Sequence, residues 1–301
     1  MTTIGVAAAR TTPGRVRETP AVRTPATEAW RRLRRNRLAM IGATLLVVMA
    51  MVAALTPWIA PYPYAKTDLA FGPQPPSARH LLGTDELGRD LLTRTMWGSR
   101  VSLGVGLLAT FVSLTIGVSY GALAGYLGGR ADRVMMRIVD VLYGLPFMFF
   151  VIILMVLLGR NIFNLFIALG AVQWLTMSRI VRGQVLSLRE REFVQGARAL
   201  GSRPLRILAL HVVPNAVGPI IVYATLTVPA VMLEEAFLSF LGLGVQPPMA
   251  SWGSLASEGA AHLDVRPWLI LFPGVALTVT LFSLNFLGDG LRDALDPQVS
   301  R

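Results

Sequence analysis

The sequence has no cysteine, a single lysine and three histidines among 301 residues, and each scarcity removes a class of chemistry. Without cysteine there is no disulfide, no thiolate nucleophile and no cysteine-based metal site. His80, His211 and His262 are scattered, with no two at ligand spacing, so no metal is expected to be held. The lone lysine, Lys66, does not end a glycine-rich loop, and without a Gly-Lys-Ser/Thr ending no phosphate-binding loop of that kind can form. Any ATP that energises this protein must therefore be bound by another chain. Charge is scarce as well: 15% of residues are charged against 53% apolar, a balance too oily for a soluble domain of this length.

What the sequence does have is a series of long apolar runs. About 20 helical residues cross a bilayer, so an all-α polytopic membrane protein is expected, with six spans at about 38–59, 101–127, 135–158, 161–180, 216–235 and 268–288. Asn164, Gln173 and Trp174 interrupt the fourth span, and without it the last two would turn over. Charge decides between the two arrangements. With six spans and both termini on the cytoplasmic side, 21 of the 28 basic residues fall inside and 7 outside, as the positive-inside rule requires. The net charge of +11 thus reads as loop asymmetry, and nucleic acid is not an expected partner. Residues 1–29, rich in Thr, Ala, Pro and Arg, read as a disordered basic tail; a targeting peptide is the disfavoured alternative, because the basic region is longer than a secretory n-region and no small-residue cleavage site follows the apolar run. Residues 30–301 read as one transmembrane domain.

The outer loop 60–100 begins Pro-rich. Its second half is expected to form a short helix along the membrane surface, with Leu87, Leu91, Leu92 and Thr95 on one face. Asp85, Glu86 and Asp90 lie within reach of Arg89 and Arg94, and pairing and capping account for them, so no catalytic residues are assigned. In the Gly- and Pro-rich outer loop 239–267, Trp252 together with Trp268 fits an aromatic belt.

Inside the membrane, Ala109, Ser113, Gly117, Gly121, Gly125 and Gly129 recur every fourth residue. Small residues at that spacing let another helix backbone approach closely. The partner is either another span of this chain, the favoured reading, or a span of a partner subunit. Asp140 follows Arg137 by three and is expected to pair with it. Pro146 should kink the third span. Glu234 and Glu235 are expected where the fifth span leaves the bilayer, although two adjacent acids can also attract a peptide amino terminus. Pro146, Glu234 and Glu235 are the candidate pathway or gate positions. An ion-driven carrier would need ionisable groups at the bilayer midplane, and none is expected there.

The longest arginine-bearing interruption between apolar runs is 189–214, REREFVQGARALGSRPLRILALHVVP. Phe193, Ala197 and Leu200 predict the apolar face of a short helix, opposite Arg189, Arg191, Glu192, Gln195 and Arg198. Gly201 supplies the stop, Ser202 a cap, and Pro204 a first helical turn. Leu205, Leu208 and Val212 predict the apolar stripe of a second helix. Two such faces must pack on something else, either the chain's own spans or a separate soluble subunit.

This stretch resembles the EAA loop of ABC importer permeases. Gln195, Gly196 and Ala197 occupy the Glu-Ala-Ala triplet, Gly201 the following glycine, and His211, Val213 and Pro214 the Ile-x-Leu-Pro ending. Gln replaces Glu, Gly replaces Ala and His replaces Ile, while Glu192 stands one turn earlier. GTDELGRDLLTR, PFMFFVIIL, FLSFLGLGVQPP, SWG and NFLGDGLRDALDP extend the resemblance over roughly residues 30–300 to the peptide and nickel branch of that family. The ending and the PFMFF stretch are most similar to the C subunits of oligopeptide permeases. The resemblance implies a type I importer permease whose hairpin 189–214 couples to an ATPase through Glu192, Phe193, Gln195, Gly196, Ala197, Arg198, Leu200, Gly201 and Pro214. It also implies a homologous second permease, two ATPase subunits binding ATP and Mg, an extracytoplasmic peptide-binding protein, and a place in a bacterial inner membrane. Oligopeptides are the expected cargo; dipeptides, nickel, glutathione and antimicrobial peptides remain open within the branch.

Overall fold

The computed structural model describes residues 25–295. Most of the expected tail lies outside the described residues, but its last part, from Pro25, already belongs to helix α1, Pro25–Arg35. Among the described residues the regular secondary structure is helical, apart from an isolated antiparallel bridge between Thr84 and Asp90 in the irregular segment that joins α2 to α3.

Five helical segments are long and apolar enough to cross a membrane. Four of them are single helices, α2 (Arg37–Ile59), α3 (Leu91–Leu127), α6 (Ile162–Leu188) and α11 (Trp268–Leu295). The fifth, Pro204–Phe240, joins α8 (Pro204–Ile207), a π-helical turn over Leu208–Val212, and α9 (Val213–Phe240). Pro214 has no N–H to give and its ring crowds the carbonyl four residues back, so the helix widens into the π turn just before it.

The third expected span is not one helix. It consists of α4 (Gly129–Tyr143) and α5 (Phe147–Leu158), bent by 84° at the Gly144–Pro146 break. Arg130, Asp132, Arg133, Arg137 and Asp140 give α4 a charged side that lipid does not accept. The twelve residues of α5 are apolar and span only about 18 Å at 1.5 Å per residue. Pro146 is the residue before the first turn of α5, where a missing N–H costs nothing.

Helices α3 and α6 form the central pair, in contact along most of their lengths. The expected small-residue stripe faces α6 of the same chain. Gly117 lies against Met177 and the Trp174 carbonyl, Gly121 against Ser178, and Gly125 against Arg182 and Val185. Gly170 of α6 returns the fit against Val112 and Ala109. Ser113 is fully buried in this seam. Gly129 does not belong to it: its φ of +57° starts α4 in another direction, and a Cβ placed there would meet nothing within 4 Å.

The outer loop differs from expectation. Residues 91–100 are not a surface helix but the first turns of α3, capped by Asp90, whose Oδ2 accepts from the Thr93 N–H at 2.8 Å. Leu87 lies in the preceding turn. Asp85 organises that turn, accepting from the Leu87 and Arg89 N–H groups and from the Arg89 and Arg94 guanidiniums, each of the latter at 2.6 Å. Helix α10 (Trp252–Ala260) packs against α3, α9 and α11. Trp252 is therefore 1% exposed rather than part of an aromatic belt, with its indole N–H on the Thr95 carbonyl at 2.9 Å. Trp268 is partly buried, with its indole N–H turned to the Thr84 carbonyl.

Candidate functional site

The hairpin has an anchored inner face and a free outer one. Helix α7 (Glu192–Ala199) presents Val194 and Ala197 inward, where they join Met177, Val181, Val185, Ile207, Leu208 and Val212 in one buried cluster. The apolar face predicted from Phe193, Ala197 and Leu200 is thus only partly right. Phe193 is 43% and Leu200 87% exposed, and Leu205 at the start of α8 is 69% exposed. Only Leu208 and Val212 of the second predicted stripe are buried, joined there by Ile207. The second helix is not separate, since it runs through the π turn into α9.

Helix α7 ends in a Schellman turn. The Gly201 N–H reaches the Arg198 carbonyl at 2.9 Å and the Ser202 N–H the Ala197 carbonyl at 3.1 Å, with Gly201 at φ +75°. Ser202 does not cap α8; Arg203 stands at that position with no side-chain bond, and Pro204 occupies the first turn as expected. Two cations fasten the hairpin to α3: the Arg189 guanidinium donates to the Gly125 carbonyl at 3.0 Å, and Arg198 lies 5.5 Å over the Tyr126 ring. Of the nine predicted coupling residues, Glu192, Phe193, Gln195, Gly196, Arg198, Leu200, Gly201 and Pro214 are exposed and Ala197 is buried. Gln195 donates to the Glu190 carbonyl at 3.1 Å.

Glu234 and Glu235 do not sit at the end of the span. Each lies within α9 before its last turn at Phe240, and their roles diverge. Glu235 is 1% exposed, and one of its oxygens accepts from Ser239 at 2.8 Å and from Ser251, the N-cap of α10, at 2.6 Å. It ties α10 to α9 and is structural. Glu234 lines a cavity of about 280 Å³ at the α4–α5 break, together with Tyr143, Leu145 and Phe147 there and Gln173 and Thr176 of α6. The Gln173 amide donates to its Oε1 at 2.7 Å, while its Oε2 is buried without a hydrogen-bond partner. Glu234 is thus an ionisable group inside the helix bundle, six residues before the end of α9, rather than at a helix end. Gln173, visible in the sequence only as a polar break in the fourth span, is the one signal there that could have found the cavity. Asp140 pairs with Arg179 of α6 at 2.7 Å and not with Arg137, because the helix turns that side of α4 towards α6.

Residues 117–301 match the family described as "Binding-protein-dependent transport system inner membrane component". This chain belongs to that family. Residues 24–76 match a second description, "N-terminal TM domain of oligopeptide transport permease C". Among relatives, the permease is 50% identical over 273 residues to the oligopeptide transport system permease protein OppC of Haemophilus influenzae, covering 90% of this chain and 88% of the relative. It is 46% identical over 290 residues to the dipeptide transport system permease protein DppC of Bacillus subtilis, covering 95% and 91%. Among solved structures, it shares the fold of the MetNI methionine ABC transporter in an inward-facing conformation, with a TM-score of 0.58 at 17% identity over 68% of this chain and 98% of that one. The protein is a multi-pass permease subunit of the ABC importer kind.

Proposed function

We propose that this permease carries oligopeptides inward as one half of a heterodimer with a homologous permease, driven by two ATPase subunits that bind ATP and Mg on their own chains. An extracytoplasmic binding protein delivers the peptide, both termini lie in the cytoplasm, and lipid surrounds the spans. The assembled complex hydrolyses ATP, and this chain supplies the path. One observation carries the reading: α7 is locked to the α3–α6–α9 core through Val194 and Ala197 while Phe193, Leu200 and Leu205 stand exposed around it. An apolar rim on a charged, anchored helix suits a partner groove, because force applied to the rim reaches the spans with little slack. Nucleotide can drive alternation between inward- and outward-open forms only if the ATPase pair contacts this rim differently in each. The names of the relatives in the oligopeptide and dipeptide systems support a peptide cargo.

The absence of cysteine makes the test direct. With Arg198→Cys as the only thiol, an impermeant maleimide should label the permease in inside-out vesicles and not in intact cells, and adding the ATPase subunits should slow labelling several-fold. Uptake of a radiolabelled oligopeptide should be lost on deleting the gene and restored by the wild-type chain. Labelling from outside, or labelling indifferent to the ATPases, would overturn the coupling assignment; unrestored peptide uptake would overturn the cargo.

A further inference from the structure

The Glu234 cavity lies in the membrane-spanning part of the molecule. Glu234 is six residues, roughly 9 Å of helix rise, before the end of α9, and Gln173 stands near the middle of α6. A carboxylate at such depth is costly unless a cation, a donor or a proton meets it. Gln173 meets one oxygen only. The rest of the lining is apolar and aromatic, Leu145, Phe147 and Phe150, with the Tyr143 and Thr176 hydroxyls the remaining polar groups.

We propose that this cavity is a subsite for the α-ammonium group and first side chain of the transported peptide, with Glu234 Oε2 accepting from the ammonium and Phe147 and Phe150 enclosing the side chain. The inference rests on the peptide-import reading and deepens it. The chemistry selects an ammonium over a metal ion. A transition-metal or alkaline-earth ion needs several oxygen, nitrogen or sulfur ligands, and among the described residues no three His, Cys, Asp or Glu side chains converge. An ammonium has three donors, one of which suits the free Oε2, and the Tyr143 and Thr176 hydroxyls are acceptors of the right kind for the others. Gln173 donates its amide to Oε1, which leaves Oε2 as the carboxylate oxygen without a hydrogen-bond partner. The lining comes from both sides of the α4–α5 break and from α6 and α9, so occupancy would couple the break to the central helices.

The test uses the assembled importer with Leu145→Cys as its only permease thiol and measures the maleimide labelling rate with trialanine or N-acetyl-trialanine. Trialanine should slow labelling at least about five-fold and the acetylated peptide less than two-fold. Adding Glu234→Gln, which keeps the shape and removes the charge, should bring both peptides to the same weak protection. Thermal melting of the variant complex, unchanged within a few degrees, separates this from loss of structure. Equal protection by the two peptides in the wild-type background, or undiminished discrimination with Glu234→Gln, would overturn the subsite. If trialanine gives no protection while the same complex imports oligopeptide, the subsite fails and the import reading stands. A complex that imports no peptide removes both.

Discussion

Gly121 offers the sharpest test of the packing. A Cβ at this position would lie 2.3 Å from the Ser178 carbonyl oxygen and 3.0 Å from the Ser178 carbonyl carbon and Cα. Close carbon-to-oxygen contacts between helices settle near about 3.3–3.6 Å, so Gly121→Ala requires α3 and α6 to part by about 1 Å. Backbone cannot swing aside as a side chain can, and a gap of that size forfeits about a quarter to a half of the dispersion energy at each neighbouring contact along the seam. Overpacking of this kind costs about 1–3 kcal/mol, and the gain in helix propensity on replacing glycine returns at most about 1 kcal/mol. Gly104, on the same helix, has nothing within 4 Å of the corresponding Cβ, so Gly104→Ala keeps the propensity gain without the clash. The propensity gain is common to both, so the two variants should differ by the clash alone, about 1–3 kcal/mol, or roughly 2–12 °C in melting temperature for a large chain. Melting in detergent followed by tryptophan fluorescence or size exclusion reads the difference. If Gly121→Ala melts at or above Gly104→Ala, the close α3–α6 approach is wrong.

Gly201→Val forces a β-branched residue to φ +75°, at a cost of about 1–2 kcal/mol, and should open the turn after α7. Peptide uptake should fall at least ten-fold while membrane insertion, measured by the amount of protein in the membrane fraction, stays normal. Glu235→Ala leaves the Ser239 and Ser251 hydroxyls buried without their acceptor and should cost about 2–4 kcal/mol. It should also expose the 241–251 segment to protease, so an unchanged digestion pattern would count against its anchoring role. The Tyr64 hydroxyl donates to the Pro248 carbonyl, and burial pushes the phenol up to about 12. The folded state therefore holds its proton where the unfolded chain, at 10, has lost it, so the contribution to stability is complete below pH 10 and is lost as pH rises towards 12. Comparing phenolate absorbance in the wild type with Tyr64→Phe should assign a late-titrating tyrosine to this position. Partial desolvation raises the half-exposed Glu258 carboxyl, so the folded state gains a little relative stability as pH falls through the acid range, and Glu258→Gln should flatten that slope.

Features that depend on composition or on a fixed residue spacing were legible without coordinates. Apolar runs of bilayer length, the four-residue recurrence of Ser113, Gly117, Gly121 and Gly125, the glycine that ends α7 and the proline at the third-span break all act locally, and the structure has each of them. The site was half legible. Glu234 and Gln173 were each visible as polar residues in apolar runs, yet 61 positions separate them, and no local pattern reports that α6 and α9 bring them to 2.7 Å.

Helical face was read less well than helical existence. Phe193, Leu200 and Leu205 look like core by spacing, yet all three are exposed: apolar residues are left on surfaces that meet lipid or another protein as well as in cores, so hydrophobicity alone does not mark the inward direction. The same limit misplaced the Asp140 partner, since a residue three positions away competes with one across a helix interface. By itself the sequence determined that this is an all-helical membrane protein with an arginine-rich hairpin, because desolvating backbone in lipid permits helices at those runs and little else. Only the tertiary structure decided that Glu235 is a tether and Glu234 a cavity wall: adjacent residues on a helix point about 100° apart, and what each one meets depends on helices that are distant in the chain.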